Sequence, residues 1–152
     1  MRNPIQFEDR EARVVAWVPC ELDARDIEER SNRLRSWALI VGATIAGPPY
    51  LVLRGAEGAR LCLPLAEWYA AHPETGVSVE RNPAGPVARL AGATVMDAHE
   101  IAGAVLAELG GHCKARGDAE FHPTERGALS GDVLIPVDPA VVRVPVPAAV
   151  AV

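Results

Sequence analysis

Apolar and polar positions alternate over Ile5-Gln6-Phe7-Glu8 and again over Arg13–Val18. A period of two predicts two short strands, each with one buried face, with Asp9-Arg10-Glu11 turning the chain between them. From Asp26 the period lengthens. Ile27, Leu34, Trp37, Ala38 and Val41 fall on one side of a predicted helix, with Arg30, Arg33 and Arg35 away from it. Asp23 or Asp26 is placed to cap its start, and Gly42 fits the position just past its end. Gly47-Pro48-Pro49 interrupts the chain before Tyr50–Leu53, a strand, and a glycine-containing turn leads to a further strand at Leu61–Leu65. Val77–Glu80 and Val87–Val95 then read as strands around an Asn82-Pro83-Ala84-Gly85 turn. Asp97 with Glu100 resembles a capping box opening a helix whose apolar face is Ala98, Ile101, Ala102, Val105, Leu106 and Leu109, stopped by Gly110-Gly111. Phe121–Thr124 and Asp132–Val137 are the last two strands, and Glu120, just ahead of them, is expected in a turn, with a second pocket acid as its other reading.

The pattern repeats. Sliding the chain by 72 residues sets Ile5–Leu65 against Val77–Val137 without a gap, with Arg54-Gly55-Ala56 on Arg126-Gly127-Ala128 and Pro64 on Pro136. The expected fold class is therefore α+β. Two strand-strand-helix-strand-strand units form two antiparallel sheets with one helix each, related by a pseudo-twofold, with a groove between them. The domain is expected over 5–137, as halves 5–65 and 77–137 joined by a connector at 66–76. Residues 1–4 are expected to fray, and the Pro/Val/Ala-rich 138–152 to form a flexible tail. One position breaks the symmetry: Glu125 falls where the first copy has Leu53, so an apolar strand position in one half is acidic in the other.

Composition narrows the function. A chain of 152 residues with 49% hydrophobic residues and a net charge of −5 suits a globular domain, and the lack of a basic cluster argues against direct nucleic-acid binding. No apolar run reaches membrane-spanning length and no signal-peptide core opens the chain, so neither membrane nor export is expected and the location is read as cytoplasmic. Cys20, Cys62 and Cys113 lack metal-ligand spacing and read as reduced thiols. His112 and Cys113, with His122 following, supply no third metal ligand at useful spacing, so no metal and no cofactor is expected.

These motifs, in this order, resemble the GyrI-like small-molecule-binding domain, also called the bacterial transcription-activator effector-binding domain. The resemblance runs over Ile5–Val137. It rests on the duplicated strand-helix units, Trp37-Ala38 followed by Gly42, Gly47-Pro48-Pro49-Tyr50 ahead of a strand, Gly92 after a second-half strand, Pro123-Thr124-Glu125, and Leu134-Ile135-Pro136-Val137 as the closing strand. It implies a groove between the halves, lined by aromatics, in which a buried glutamate recognises hydrophobic and often cationic compounds. Carried over by position, that glutamate is Glu125. Trp37 and Tyr50 are the best-placed aromatics, followed by Trp17 and Trp68. Two positions where the family commonly has tyrosine hold Thr94 and Gly127 here.

The first functional expectation is a stand-alone module that senses or sequesters a small hydrophobic or cationic ligand. With no helix-turn-helix segment ahead of it, the chain is not expected to act on DNA by itself. An enzymatic alternative also follows from the resemblance: hydrolysis of cyclopropane-type electrophiles, with Glu125 as general base in a dry pocket. A third reading is a gyrase-inhibitor-like module that meets a protein partner through an acidic surface. Each residue also has a plainer role. Glu125 suits a solvated strand edge, Trp37 a helix core, Tyr50 simple packing, and Trp68 a stitch between halves.

Overall fold

The computed structural model describes residues 4–55, 58–109, 114–124 and 130–138. Eight strands and two α-helices follow in the order β1 (Gln6–Arg10), β2 (Arg13–Cys20), α1 (Ala24–Val41), β3 (Tyr50–Leu53), β4 (Ala59–Leu65), β5 (Ser78–Asn82), β6 (Gly85–Thr94), α2 (Ala98–Leu109), β7 (Glu120–Pro123) and β8 (Ser130–Pro136). A 3₁₀ turn at Pro73–Thr75 lies in the connector. The periodicity located these elements to within a few residues. Helix α1 begins earlier than its apolar stripe because Asp23, not Asp26, is the cap: its carboxylate accepts from the Asp26 amide at 2.8 Å. The helix ends on Gly42, whose φ of 77° is left-handed and lets its N–H donate to the Ala38 carbonyl.

The strands do not form the two sheets expected. They make one eight-stranded antiparallel sheet in the order β1-β6-β8-β7-β3-β4-β2-β5. Nor do β1 and β2 pair as a hairpin: β1 lies on β6, and β5 lies on β2. Alternating polarity says which face of a strand is buried and says nothing about its neighbour, so the partners were open to this exchange.

The exchange forces the sheet to curl. β1 and β2 stand six strand spacings apart in the order, which in a flat sheet is roughly 29 Å. Only Glu11 and Ala12 join Arg10 to Arg13, a reach of at most about 11 Å. Asn82 and Gly85 are joined across the same number of spacings by Pro83 and Ala84. Arg10 pairs with Gly85, and Arg13 with Asn82. The two links therefore meet at one place and fasten the two edges of the sheet together.

Each strand divides cleanly between two faces. Ala16, Val18, Leu51, Leu61, Leu63, Leu90, Phe121, Val133 and Ile135 join Leu34, Trp37 and Ala38 of α1 and Ala98, Ala102 and Val105 of α2 in one continuous core. Both helices thus cover the same face. The opposite face carries a small separate cluster of Val15, Tyr50 and Cys62, with Trp17 and Val52 against it. Among the described residues no helix covers that cluster, yet Tyr50 and Cys62 are fully buried. The curled sheet shields them itself. Among the described residues no helix is long and apolar enough to cross a membrane.

The 72-residue interval reappears in the register, with one break. Val15↔Pro64 recurs as Val87↔Pro136, and Arg13↔Asn82 as Gly85↔Arg10. Tyr50↔Cys62, however, recurs as Glu120↔Leu134 and not as His122↔Leu134. Strand β7 is set two residues early. Glu120 therefore stands in the sheet as Tyr50 does, in the strand and not in the turn expected for it.

Candidate functional site

The centre of the helix-free face is built around β3 and β7, which pair at Leu51↔Phe121 and Val52↔Glu120. Because side chains alternate, Leu51 and Phe121 enter the helix-side core, and Tyr50, Glu120 and His122 face the other way. Glu120 is 4% exposed. A carboxylate at such depth needs partners, and it has two. Arg10, from the end of β1, donates from Nη1 to Glu120 Oε1 at 2.6 Å. His122 Nε2 lies 2.8 Å from the same oxygen, and since an ionised carboxylate only accepts, Nε2 carries the proton and donates. Burial pushes the Glu120 pKa up, but the hydrogen bonds from His122 and Arg10 and the charge of Arg10 outweigh it and hold the carboxyl below its ordinary value.

Tyr50 ties this cluster to the other edge of the sheet. Its ring stacks on His122, with centroids 4.4 Å apart and planes 6° from parallel, and the Arg13 guanidinium sits 5.1 Å from its centroid. Its hydroxyl oxygen accepts from Asn82 Nδ2 at 3.1 Å. Burial, then the neighbouring Cys62 and Glu120, raise the Tyr50 pKa, so the phenol stays protonated. Burial likewise pushes the Cys62 thiol up to about 12, which leaves it a poor nucleophile.

Two concavities open beside this cluster. The larger, about 470 Å³, has Arg10, Arg13, Arg89 and His122 as its basic lining and Pro48, Pro64 and Leu134 as an apolar wall. The smaller, about 190 Å³, is bounded by Arg10 and Glu120 on one side and by Arg60, Asn82 and Arg116 on the other. Arg10 and the β7 pair thus form the partition between them.

The residues expected at a site are only partly brought together. Tyr50 and Trp17 share the helix-free face; Trp17 carries Arg60 over its ring at 3.8 Å. Trp37 is on the opposite side of the sheet, buried in the helix-side core with its edge against Tyr69 at 6.4 Å. Trp68 is in the connector, 46% exposed, with Arg81 at 5.0 Å from its ring. Glu125 lies outside the described residues, as do 1–3 and 139–152 of the expected flexible ends. The acid that the structure places at the centre is Glu120. Its sequence signal was the alternation Glu120-Phe121-His122, which matches Tyr50-Leu51-Val52 once the interval is shortened from 72 to 70.

No protein-family model matches the chain, and no curated protein matches it in sequence. Solved structures do match in fold. The chain is similar to the EcmrR C-terminal domain, with a TM-score of 0.66 and 9% identity over 89% of this chain and 97% of that one. It is similar to EcmrR in its DNA complex, with a TM-score of 0.67 and 6% identity; there it spans 57% of the EcmrR chain. A looser likeness, TM-score 0.47 and 8% identity over 90% of this chain and 94% of the other, is to SAV2435 bound to tetraphenylphosphonium. The resemblance to the GyrI-like effector-binding domain, read from the order of the chain's motifs, holds in its fold.

Proposed function

We propose that the chain is a GyrI-like ligand-binding module that senses or sequesters a small apolar compound on the helix-free face of its sheet. The observation that carries this reading is the larger concavity, about 470 Å³, which is of the size small-molecule sites commonly have. Its wall of Pro48, Pro64 and Leu134 stands beside a basic lining of Arg10, Arg13, Arg89 and His122. In this reading the two 72-residue-spaced stretches are copies of one unit, and the groove between them is the ligand groove. Glu120, in the partition beside the larger concavity, supplies a buried carboxylate at its margin. The ordered neighbours of that carboxylate favour binding over catalysis. A carboxyl whose pKa is held down by Arg10 and His122 is a weak base, so the hydrolase alternative gains nothing from it.

The test is a two-dimensional amide NMR titration of the full chain with a panel of naphthyl, biphenyl and alicyclic compounds. Saturable shifts at Gly47, Arg89 and His122, without matching shifts along α1 and α2, are expected from at least one of them. Shifts confined to the helix side, or none up to millimolar ligand, would remove the reading.

A further inference from the structure

The chemistry of the larger concavity sets the charge of what it accepts. A site that selects cations keeps a carboxylate available to them. Here the buried carboxylate, Glu120, lines the smaller concavity and not the larger, and it is already met by two donors on one oxygen, Arg10 and His122. Glu8 is likewise taken, by Arg89, which also holds Asp132. Asp9 and Glu11 remain, both on the exposed rim, where water and salt screen them. The basic groups are disposed differently. Arg13 is half-buried in the wall and, among the described residues, meets no carboxylate within ion-pair distance; its contact is the face of Tyr50. An aromatic face is a weaker partner for a guanidinium than an anion that can accept two of its N–H groups. Arg13 and His122 both lie against the same Tyr50 ring, so they present two polar groups from one platform.

We infer that the larger concavity takes an amphiphilic organic anion, its carboxylate on Arg13 beside the Tyr50–His122 stack and its apolar body against Pro48, Pro64 and Leu134. This rests on the proposed ligand site and adds the charge class of its ligand. It reverses the cation preference that the family resemblance implies. The reversal has a specific cause: Glu120, held by Arg10 and His122, lines the smaller concavity, and the carboxylates that line the larger one are all exposed.

The experiment is calorimetric and NMR titration of the full chain with a matched naphthyl series ending in a carboxylate, a carboxamide or an ammonium group. The carboxylate is expected to bind at least about tenfold more tightly than the ammonium, with affinity falling as salt rises. Arg13→Gln should reduce carboxylate affinity about tenfold and leave the carboxamide within about twofold, and Arg13→Lys should retain the acid preference in part. Tightest binding of the ammonium compound, or an acid preference that survives Arg13→Gln, overturns the inference and leaves the ligand site standing. No binding at the concavity by any of the three overturns both. Should Arg13→Gln not fold, the wild-type order of carboxylate over ammonium, and its reversal or persistence, decides the matter.

Discussion

Arg10 and Glu120 are 110 positions apart in the chain and 2.6 Å apart in the fold, one from an edge strand and the other from the middle of the sheet. Their ion pair fastens the β1 edge over the centre. Asn82 does the same from the β5 edge through Tyr50. Both contacts matter because, among the described residues, the helix-free face has only the curl of the sheet to shield it.

Breaking that pair on one side should be costly. Arg10→Met leaves a buried carboxylate with His122 as its remaining side-chain partner, and Glu120→Leu strands a buried guanidinium whose Nε already lacks a hydrogen-bond partner. Each is expected to cost about 3–5 kcal/mol, while the double variant should cost much less than their sum. Urea unfolding of the four proteins of the cycle checks this. Additive costs would mean that the two groups do not depend on each other.

Acid should unfold the chain partly through Glu120. Its pKa in the folded state is below its ordinary value of 4.5, so the native state binds the proton less readily than the unfolded chain does. The resulting stabilisation is fully present above the unfolded value and is lost as pH falls through the folded one. Wild type should therefore lose stability below about pH 4.5 more steeply than Glu120→Gln. Unfolding curves taken between neutral pH and pH 3 would reveal it, and parallel pH profiles would contradict it.

Tyr50 supplies area and one hydrogen bond, and the two can be separated. Tyr50→Phe keeps the stack on His122 and loses the bond from Asn82, for about 1 kcal/mol. Tyr50→Ala removes the ring from a fully buried position, for about 3–5 kcal/mol. Equal losses in thermal or urea unfolding would show that the ring itself contributes little.

Two glycines should respond in opposite directions to alanine. A Cβ at Gly131 would stand 2.2 Å from the His122 carbonyl oxygen and 2.8 Å from Pro123 Cα, so β7 and β8 would have to part. Gly131→Ala is expected to cost at least about 2 kcal/mol and to disturb the His122–Glu120 contact. Gly103 is exposed in α2 with nothing within 4 Å. Gly103→Ala should add about 0.5–1 kcal/mol through helix propensity. Differential scanning calorimetry of the pair reads both signs.

Most elements of this fold were legible because each has a clear period. The Ile27-Leu34-Trp37-Ala38 stripe can only be a helix face, and Gly42 can end that helix in a conformation other residues resist. The sheet was less legible. Nothing in Gln6–Arg10 distinguishes β2 from β6 as its neighbour, since either would bury Phe7 and expose Glu8. The central acid was ranked behind Glu125 for a related reason. A single interval of 72 residues aligns β1 with β5, β2 with β6 and β4 with β8, but it fails at β7 by two residues. A shift of two preserves which face each residue takes, so the apolar pattern gives no warning. It moved attention from Glu120 to Glu125. The tryptophans illustrate the converse: Trp17 and Trp37 both look like pocket aromatics in a linear sequence, and only the sheet's two faces separate them.

The crossing of the Glu11-Ala12 and Pro83-Ala84 links governs how the molecule can be assembled. Gln6 meets Arg89 only after the whole intervening chain has been placed, so the β1 edge closes by a contact of very high sequence separation. Formation should accordingly be slow for a domain of this size, and the closing step comes late. The 5–65 stretch alone would lose the strand on which β1 lies and the strand that covers β2. Isolated fragments would then present two unpaired edges each, and their simplest remedy is one another. Separately expressed N- and C-terminal pieces should remain open or self-associate alone, and should regain native hydrogen-exchange protection in β2 and β6 together when mixed.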